Sequence, residues 1–172
     1  MSQQLGGSAV AVAPKRAAES ATEMVQVVLP NDANPLGFIL GGTVMHLIDI
    51  AGAIACHRHT RSLLVTAAVD GLQFLHPIKV GDMIILKARV TAAWSTSLEV
   101  EVEVFSEETL TGLRRMTSRA YLTFVAIDRE GRRLPIPGLV LDTDEERQKA
   151  AEADRRRTER LKARKELEAR SS

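Results

Sequence analysis

The residue best placed to do chemistry is a carboxylate in the middle of an apolar run. Residues 41–55 read Gly41-Gly42-Thr43-Val44-Met45-His46-Leu47-Ile48-Asp49-Ile50-Ala51-Gly52-Ala53-Ile54-Ala55. A helix that is apolar nearly all round is expected to be buried, and an ionised carboxylate there is costly unless it is paired or used. Burial would make Asp49 a stronger base, able to deprotonate water or to attack a carbonyl itself. Just upstream, Asn34 carries an amide that can hold a water molecule or a carbonyl oxygen. The helix start at Gly41-Gly42 exposes unpaired N–H groups at the positive end of the helix dipole. Glycine lets a ligand approach that backbone closely, as an oxyanion hole requires.

Other groups fit less well. His46, Asp49, His57 and His59 lack zinc-motif spacing, so no metal site is expected. Cys56 and His57 are adjacent and point different ways around a helix, which discounts a thiol nucleophile. The only cysteine cannot form an internal disulfide; it reads as a buried thiol in a reducing compartment. Asp70, on a later strand, is the second acid to consider.

The elements that must position these groups follow from pattern. The chain has 172 residues, one domain's worth, with a formal net charge of +1. That charge gives no reason to expect nucleic acid or an acidic membrane as partner. No apolar run approaches the roughly 20 residues of a membrane span, and no basic residues precede the small apolar stretch near the N-terminus, so no signal peptide is expected. A cytoplasmic location follows. Residues 1–22 read as a flexible tail. Residues 24–29 form a short strand candidate, 31–37 a loop and 42–57 the helix. Four strands are expected at 63–74, 83–94, 98–105 and 115–127, joined by turns into an antiparallel sheet on which the helix packs. Residues 98–105 alternate Glu with apolar residues, which implies an acidic solvent face. Residues 139–172, dense in Glu, Lys, Arg and Ala, read as a charged, solvated helix or frayed tail. Its acidic residues offset the Arg155-Arg156-Arg157 run.

The ordered set Asn34-x-x-Gly37-x-x-x-Gly41-Gly42-x-x-Met45-x-x-x-Asp49 resembles the entrance motif of hotdog-fold acyl-CoA thioesterases, nearest to the YciA-like bacterial enzymes and the animal cytosolic acyl-CoA hydrolases. The turn Phe74-x-x-Pro77-x-x-x-Gly81-Asp82 and the stretch 120–128 resemble the same group. The resemblance covers roughly residues 24–138, the length of one domain, within a domain assigned to 23–138. It implies an α+β hotdog fold, a long antiparallel sheet wrapped around one helix. It also implies hydrolysis of fatty acyl-CoA to free acid and coenzyme A, with no cofactor, and assembly as dimers or trimers of dimers. Asp49 and Asn34 would be the catalytic pair. Gly41, Gly42, Thr66, His76, Thr96 and Ser97 would contact the substrate, the last two near its phosphates. Asp49 lies about 10 Å along the axis from the helix start, so a site shared between two copies is expected. Gly52 and Ala53 would leave room for a second helix or an acyl chain. A binding module that holds acyl-CoA without cleaving it, and a dehydratase or hydratase using His46 beside Asp49, are the alternatives.

Overall fold

A computed structural model describes residues 12–171. In chain order the elements are β1 (Lys15–Arg16), β2 (Thr22–Val27), α1 (Gly41–Thr60), β3 (Leu63–Phe74), β4 (Met83–Ala93), β5 (Ser97–Glu107), β6 (Arg114–Ile127), β7 (Leu139–Val140) and α2 (Asp144–Ser171). Five strands form one antiparallel sheet in the order β2-β4-β5-β6-β3, with α1 across one face. The α+β class is therefore as expected.

The strand order is not a simple meander. β3 pairs with β6, through Val65 opposite Val125 and Val69 opposite Leu122, while β4 lies between β2 and β5. The segment 75–82, expected as a turn, instead crosses between strands that are not neighbours. It is longer than a tight hairpin needs. Along its course Ile39 N–H donates to the Ile78 carbonyl at 2.8 Å, Val80 N–H to Gly37 at 3.0 Å and Gly81 N–H to Val28 at 2.8 Å. The crossover thus ties down the loop that carries Asn34.

The core lies between α1 and the inward faces of β4, β5 and β6, with Ile84, Leu86, Ala88 and Val90 contributed by β4. Leu98, Val100, Val102, Leu122 and Phe124 meet Val44, Leu47, Ile48, Ala51 and Ala55. Gly52 faces this sheet. A Cβ there would lie 3.1 Å from the Val100 side chain and 3.3 Å from the Phe124 ring. The room expected at Gly52 for a second helix or an acyl chain is therefore already filled by the chain's own sheet.

The termini depart most from expectation. Of the predicted N-terminal tail, residues 1–11 lie outside the described residues; Lys15 and Arg16 pair in parallel with Leu139 and Val140. His59, fully buried, is bonded through Nε2 to the Pro137 carbonyl at 3.0 Å, which pins the chain end beyond the last long strand to α1. Burial holds this imidazole below its ordinary value.

The C-terminal segment is a charged helix, as expected, and residues 161–171 are exposed, but its first part is docked rather than solvated. Thr143 and Glu146 form a capping box, the Thr143 hydroxyl accepting from Glu146 N–H at 3.1 Å and the Glu146 carboxylate from Thr143 N–H at 3.3 Å. From there α2 crosses the outer face of the sheet. Arg156 grips Glu99 with two hydrogen bonds of 2.8 and 3.0 Å, Lys149 donates to Glu101 at 2.5 Å, and Arg160 to Asp70 at 2.7 Å. The Arg156 guanidinium also lies 3.6 Å from the Tyr121 ring centroid. Burial, followed by neighbouring Glu101, pushes the Tyr121 phenol up to about 12. The alternating Glu residues of β5 are thus not a solvent face: Glu99 is fully buried and Glu101 nearly so. Ala153 is the one buried residue of α2 among those described. The helix is held by charge more than by apolar contact, which is why hydrophobic periodicity did not reveal its docking.

Breaking one such pair leaves a buried charge uncompensated. Arg156→Ala is expected to destabilise the fold by about 3–5 kcal/mol. The double substitution Glu99→Leu with Arg156→Leu should recover most of that loss. Urea unfolding midpoints of the three proteins check both outcomes.

Candidate active site

Asp49 sits midway along α1, half-buried rather than sealed. Its Oδ1 accepts a 2.7 Å hydrogen bond from the Thr66 hydroxyl on β3. The expectation of a deeply buried carboxylate therefore fails within one chain. The cause is the strand order: β3 is the edge of the sheet, so no further strand covers this side of the helix. Thr66, expected as a substrate contact, is found orienting the carboxylate. His46 is exposed and makes no hydrogen bond to Asp49 among the described residues.

Asn34 shapes its own loop. Its Oδ1 accepts from Leu36 N–H at 3.0 Å and Phe38 N–H at 3.2 Å, and its backbone N–H donates to the Phe38 carbonyl at 2.8 Å. The side-chain amide keeps two N–H donors for other use. The turn role and a chemical role are thus compatible: the oxygen builds the loop and the nitrogen remains available.

The start of α1 is open. Leu40, the residue before the helix, offers no side-chain cap, so the first N–H groups at Gly41, Gly42 and Thr43 lack that partner. A Cβ on Gly41 would touch the Phe74 ring at 3.5 Å, whereas nothing lies within 4 Å of one built on Gly42. Asn34, Gly41, Phe74, His76 and Thr117 line one cleft of about 340 Å³. Asp49 and Thr66 do not line it. Thr96 and Ser97 line a different cleft, against α2. The expected site residues therefore fall into three groups within a single chain. The fold brings Asn34 to the Gly41 helix start and Asp49 to Thr66, but it does not bring the two pairs into one pocket.

The remaining candidates have structural partners. Asp70 is tied to Arg160. The His57 ring lies 2.9 Å from the Ser62 carbonyl. Cys56 is buried, and burial pushes its thiol upward, away from nucleophilic use. Among the described residues no group of three or more His, Cys, Asp or Glu side chains could hold a metal ion.

Residues 36–113 match the thioesterase superfamily. An uncharacterised acyl-CoA thioester hydrolase of Bacillus subtilis is 38% identical over 74% of this chain and 74% of its own length. The chain belongs to the acyl-CoA thioester hydrolases of this superfamily. The human cytosolic acyl coenzyme A thioester hydrolase is 32% identical over 81% of this chain; the match spans 37% of that longer protein. Among solved structures, a hexameric apo acyl-CoA thioesterase superposes with a TM-score of 0.84 at 37% identity, over 88% of this chain and 97% of that one. The acyl-CoA hydrolase of Staphylococcus aureus was solved with butyryl coenzyme A, coenzyme A and coenzyme A disulfide. It superposes with a TM-score of 0.81 at 32% identity, over 92% and 99% of the two chains. Solved forms of that enzyme include single Asp-to-Ala, Asn-to-Ala and Thr-to-Ala variants.

The loop role of Asn34 in this hydrolase can be measured on its own. Asn34→Ala removes the acceptor of two loop N–H groups that are exposed or only part-buried, and should cost about 0.5–1.5 kcal/mol. Asn34→Asp keeps an accepting oxygen and should stay within about 0.5 kcal/mol of the parent. Chemical denaturation at neutral pH measures the difference.

Proposed function

We propose that the chain hydrolyses acyl-CoA thioesters to a free carboxylic acid and coenzyme A, at a site built from two copies. The reading is carried by one ordered set, Asn34, Asp49 and Thr66, with the Thr66 hydroxyl bonded to Asp49. In the Staphylococcus aureus enzyme the Asn, Asp and Thr replaced by alanine follow the same order, separated by 15 and then 17 residues. The same separations hold here.

The chemistry follows from the atoms available. The thioester carbonyl oxygen rests against the free N–H groups at Gly41 and Gly42, with the Asn34 amide beside it. Asp49, one oxygen held by Thr66, presents the other to a water molecule and takes its proton as the water oxygen bonds to the carbonyl carbon. Collapse of the tetrahedral intermediate breaks the C–S bond, and the departing thiolate takes the proton back from Asp49. A direct attack by Asp49 through an acyl anhydride uses the same groups. Neither route requires a cofactor, since coenzyme A enters with the substrate and leaves as product.

The open edge of β3 supports the two-copy arrangement. Leu63, Val65 and Val69 are 53%, 44% and 45% exposed along this strand, and Met45 on α1 is 48% exposed. An unpaired edge bearing large apolar side chains invites a second strand. Pairing two β3 edges would cover Asp49 and place the other copy's Asn34 loop and helix start opposite it. A trimer of such dimers is proposed by likeness to the hexameric thioesterase. A cytoplasmic location is proposed from the lone buried thiol and the cytosolic relative. No helix among the described residues is long and apolar enough to cross a membrane.

In a thiol-release assay over a series of acyl-CoA chain lengths, Asp49→Asn is expected to lower turnover by about 10²–10⁴-fold with an unchanged melting temperature. Asn34→Asp should lose about 10²-fold in the same assay despite its intact loop. A folded Asp49→Asn protein that turns over at the parent rate would reject the proposal. So would a parent that binds coenzyme A but releases no thiol at any chain length.

A further inference from the structure

α2 crosses the sheet along a single row of residues. Arg89 on β4, Glu101 on β5, Tyr121 on β6 and Asp70 on β3 are successive register partners. They meet α2 in the same order, through Glu146, Lys149, Arg156 and Arg160. β3 is the edge of the sheet, so the helix reaches that edge at Arg160. It does not stop there. Residues 161–171 continue the helix, and all of them are exposed. Such a stretch spans about 16 Å, roughly three strand widths beyond β3. A helix this short has little stability of its own in water.

The side of α2 that faces the sheet carries a pattern. Lys149, Ala153, Arg156, Arg160, Ala163 and Leu167 are spaced by four and three residues and form one stripe. Over the carboxylates of the sheet the stripe is cationic, with Ala153 buried. Past the edge it turns apolar, and Leu161 and Leu167 are left 42% and 65% exposed.

The outer face of the sheet holds matching apolar ground. Val125 lines the α2 side of the sheet, and Val65 is its direct register partner, so the two point the same way. Leu63, two residues earlier, shares that face. Leu63 and Val65 remain 53% and 44% exposed, because the chain's own α2 crosses β3 further on, at Asp70.

We propose that residues 161–171 form an arm that clasps the outer face of a second copy. The inference rests on the pairing of two β3 edges set out above. A two-fold axis turns the other β3 end for end. An axis at Ala67 and Ala68 therefore sets the other copy's Val65 beside this copy's Asp70. Ala163 then lies over the other copy's β3. Leu167, about 10 Å past Arg160, lies over the next strand, beside Val65 and Val125. Each copy gives one arm and receives one, so the contact closes at two copies. A second copy is the fitting occupant because the arm begins at the shared edge and extends the stripe that already packs on this same sheet face.

Single-cysteine chains test the arm, since Cys56 is buried and stays unreactive. A tagged Leu167→Cys chain is mixed with an untagged Val65→Cys chain and treated with a short bis-maleimide. A mixed covalent dimer is expected. Equal coupling to Val25→Cys, on the opposite edge strand, would overturn the assignment. In a second measurement, Leu161→Gln with Leu167→Gln keeps good helix formers at exposed positions, and circular dichroism checks that the fold is unchanged. Native mass spectrometry should show this variant exchanging subunits about tenfold faster than the parent, or more. No mixed covalent dimer, or exchange at the parental rate, overturns the arm while leaving a dimeric parent and its shared site standing. A parent that is monomeric at every concentration overturns both.

Discussion

A carboxylate cannot serve the oxyanion hole of its own helix from two turns away. Seven residues separate Gly42 from Asp49, about 10 Å of helix axis, a span that helix geometry itself fixes. Gly52 seats the helix backbone close against Val100 and Phe124, where an added Cβ would lie at a tight 3.1 and 3.3 Å from their side chains. That close seat fixes which side of the helix faces the edge strand, and Asp49 lies on it, held by Thr66. The Asn34 loop is fixed as firmly, by the crossover that bonds Ile39, Gly37 and Val28. Asn34 with the helix start and Asp49 with Thr66 are therefore held apart within one chain, and the proposed second copy would join them.

The outer face of the sheet obeys a different rule. Three carboxylates on β3 and β5, Asp70, Glu99 and Glu101, are answered one for one by Arg160, Arg156 and Lys149 of α2. Removing either partner would leave a charge in a low-dielectric setting, so the helix and the sheet depend on each other. Arginine suits this surface because its planar group can fork to a carboxylate while stacking on a ring, as Arg156 does between Glu99 and Tyr121.

Local patterns carried much of this into the sequence. The apolar run predicts α1 to within three residues at its C-terminus, and the strand boundaries of β3, β4 and β6 follow from Val, Thr and Ile content bounded by Pro, Gly and Asp. The helix Asp stands out because it is polar within an apolar run, whereas the loop Asn, in a polar turn beside Asn31 and Asp32, is singled out by the motif that resembles the thioesterases. Long-range facts were less legible. The pairing of β3 with β6 joins segments tens of residues apart, and no local signal encodes it. The docking of α2 rests on ion pairs spanning 48 to 90 residues, with one buried alanine where an apolar stripe would have been visible. The Thr143 to Glu146 capping box is a helix-start signal in the sequence, but it sits within a run of charge that obscures it. Gly52 read as space because a glycine does not reveal which neighbour it admits.

Subunit complementation tests the shared site most directly. Asp49→Asn and Asn34→Ala proteins, each inactive alone, would be co-expressed or dissociated and re-mixed in equal amounts. If the site combines Asp49 of one copy with Asn34 of another, half of the dimers are mixed. Each mixed dimer carries one intact site, so the mixture recovers about a quarter of parental turnover. A mixture that forms mixed oligomers yet stays at the level of its inactive components would contradict the two-copy arrangement.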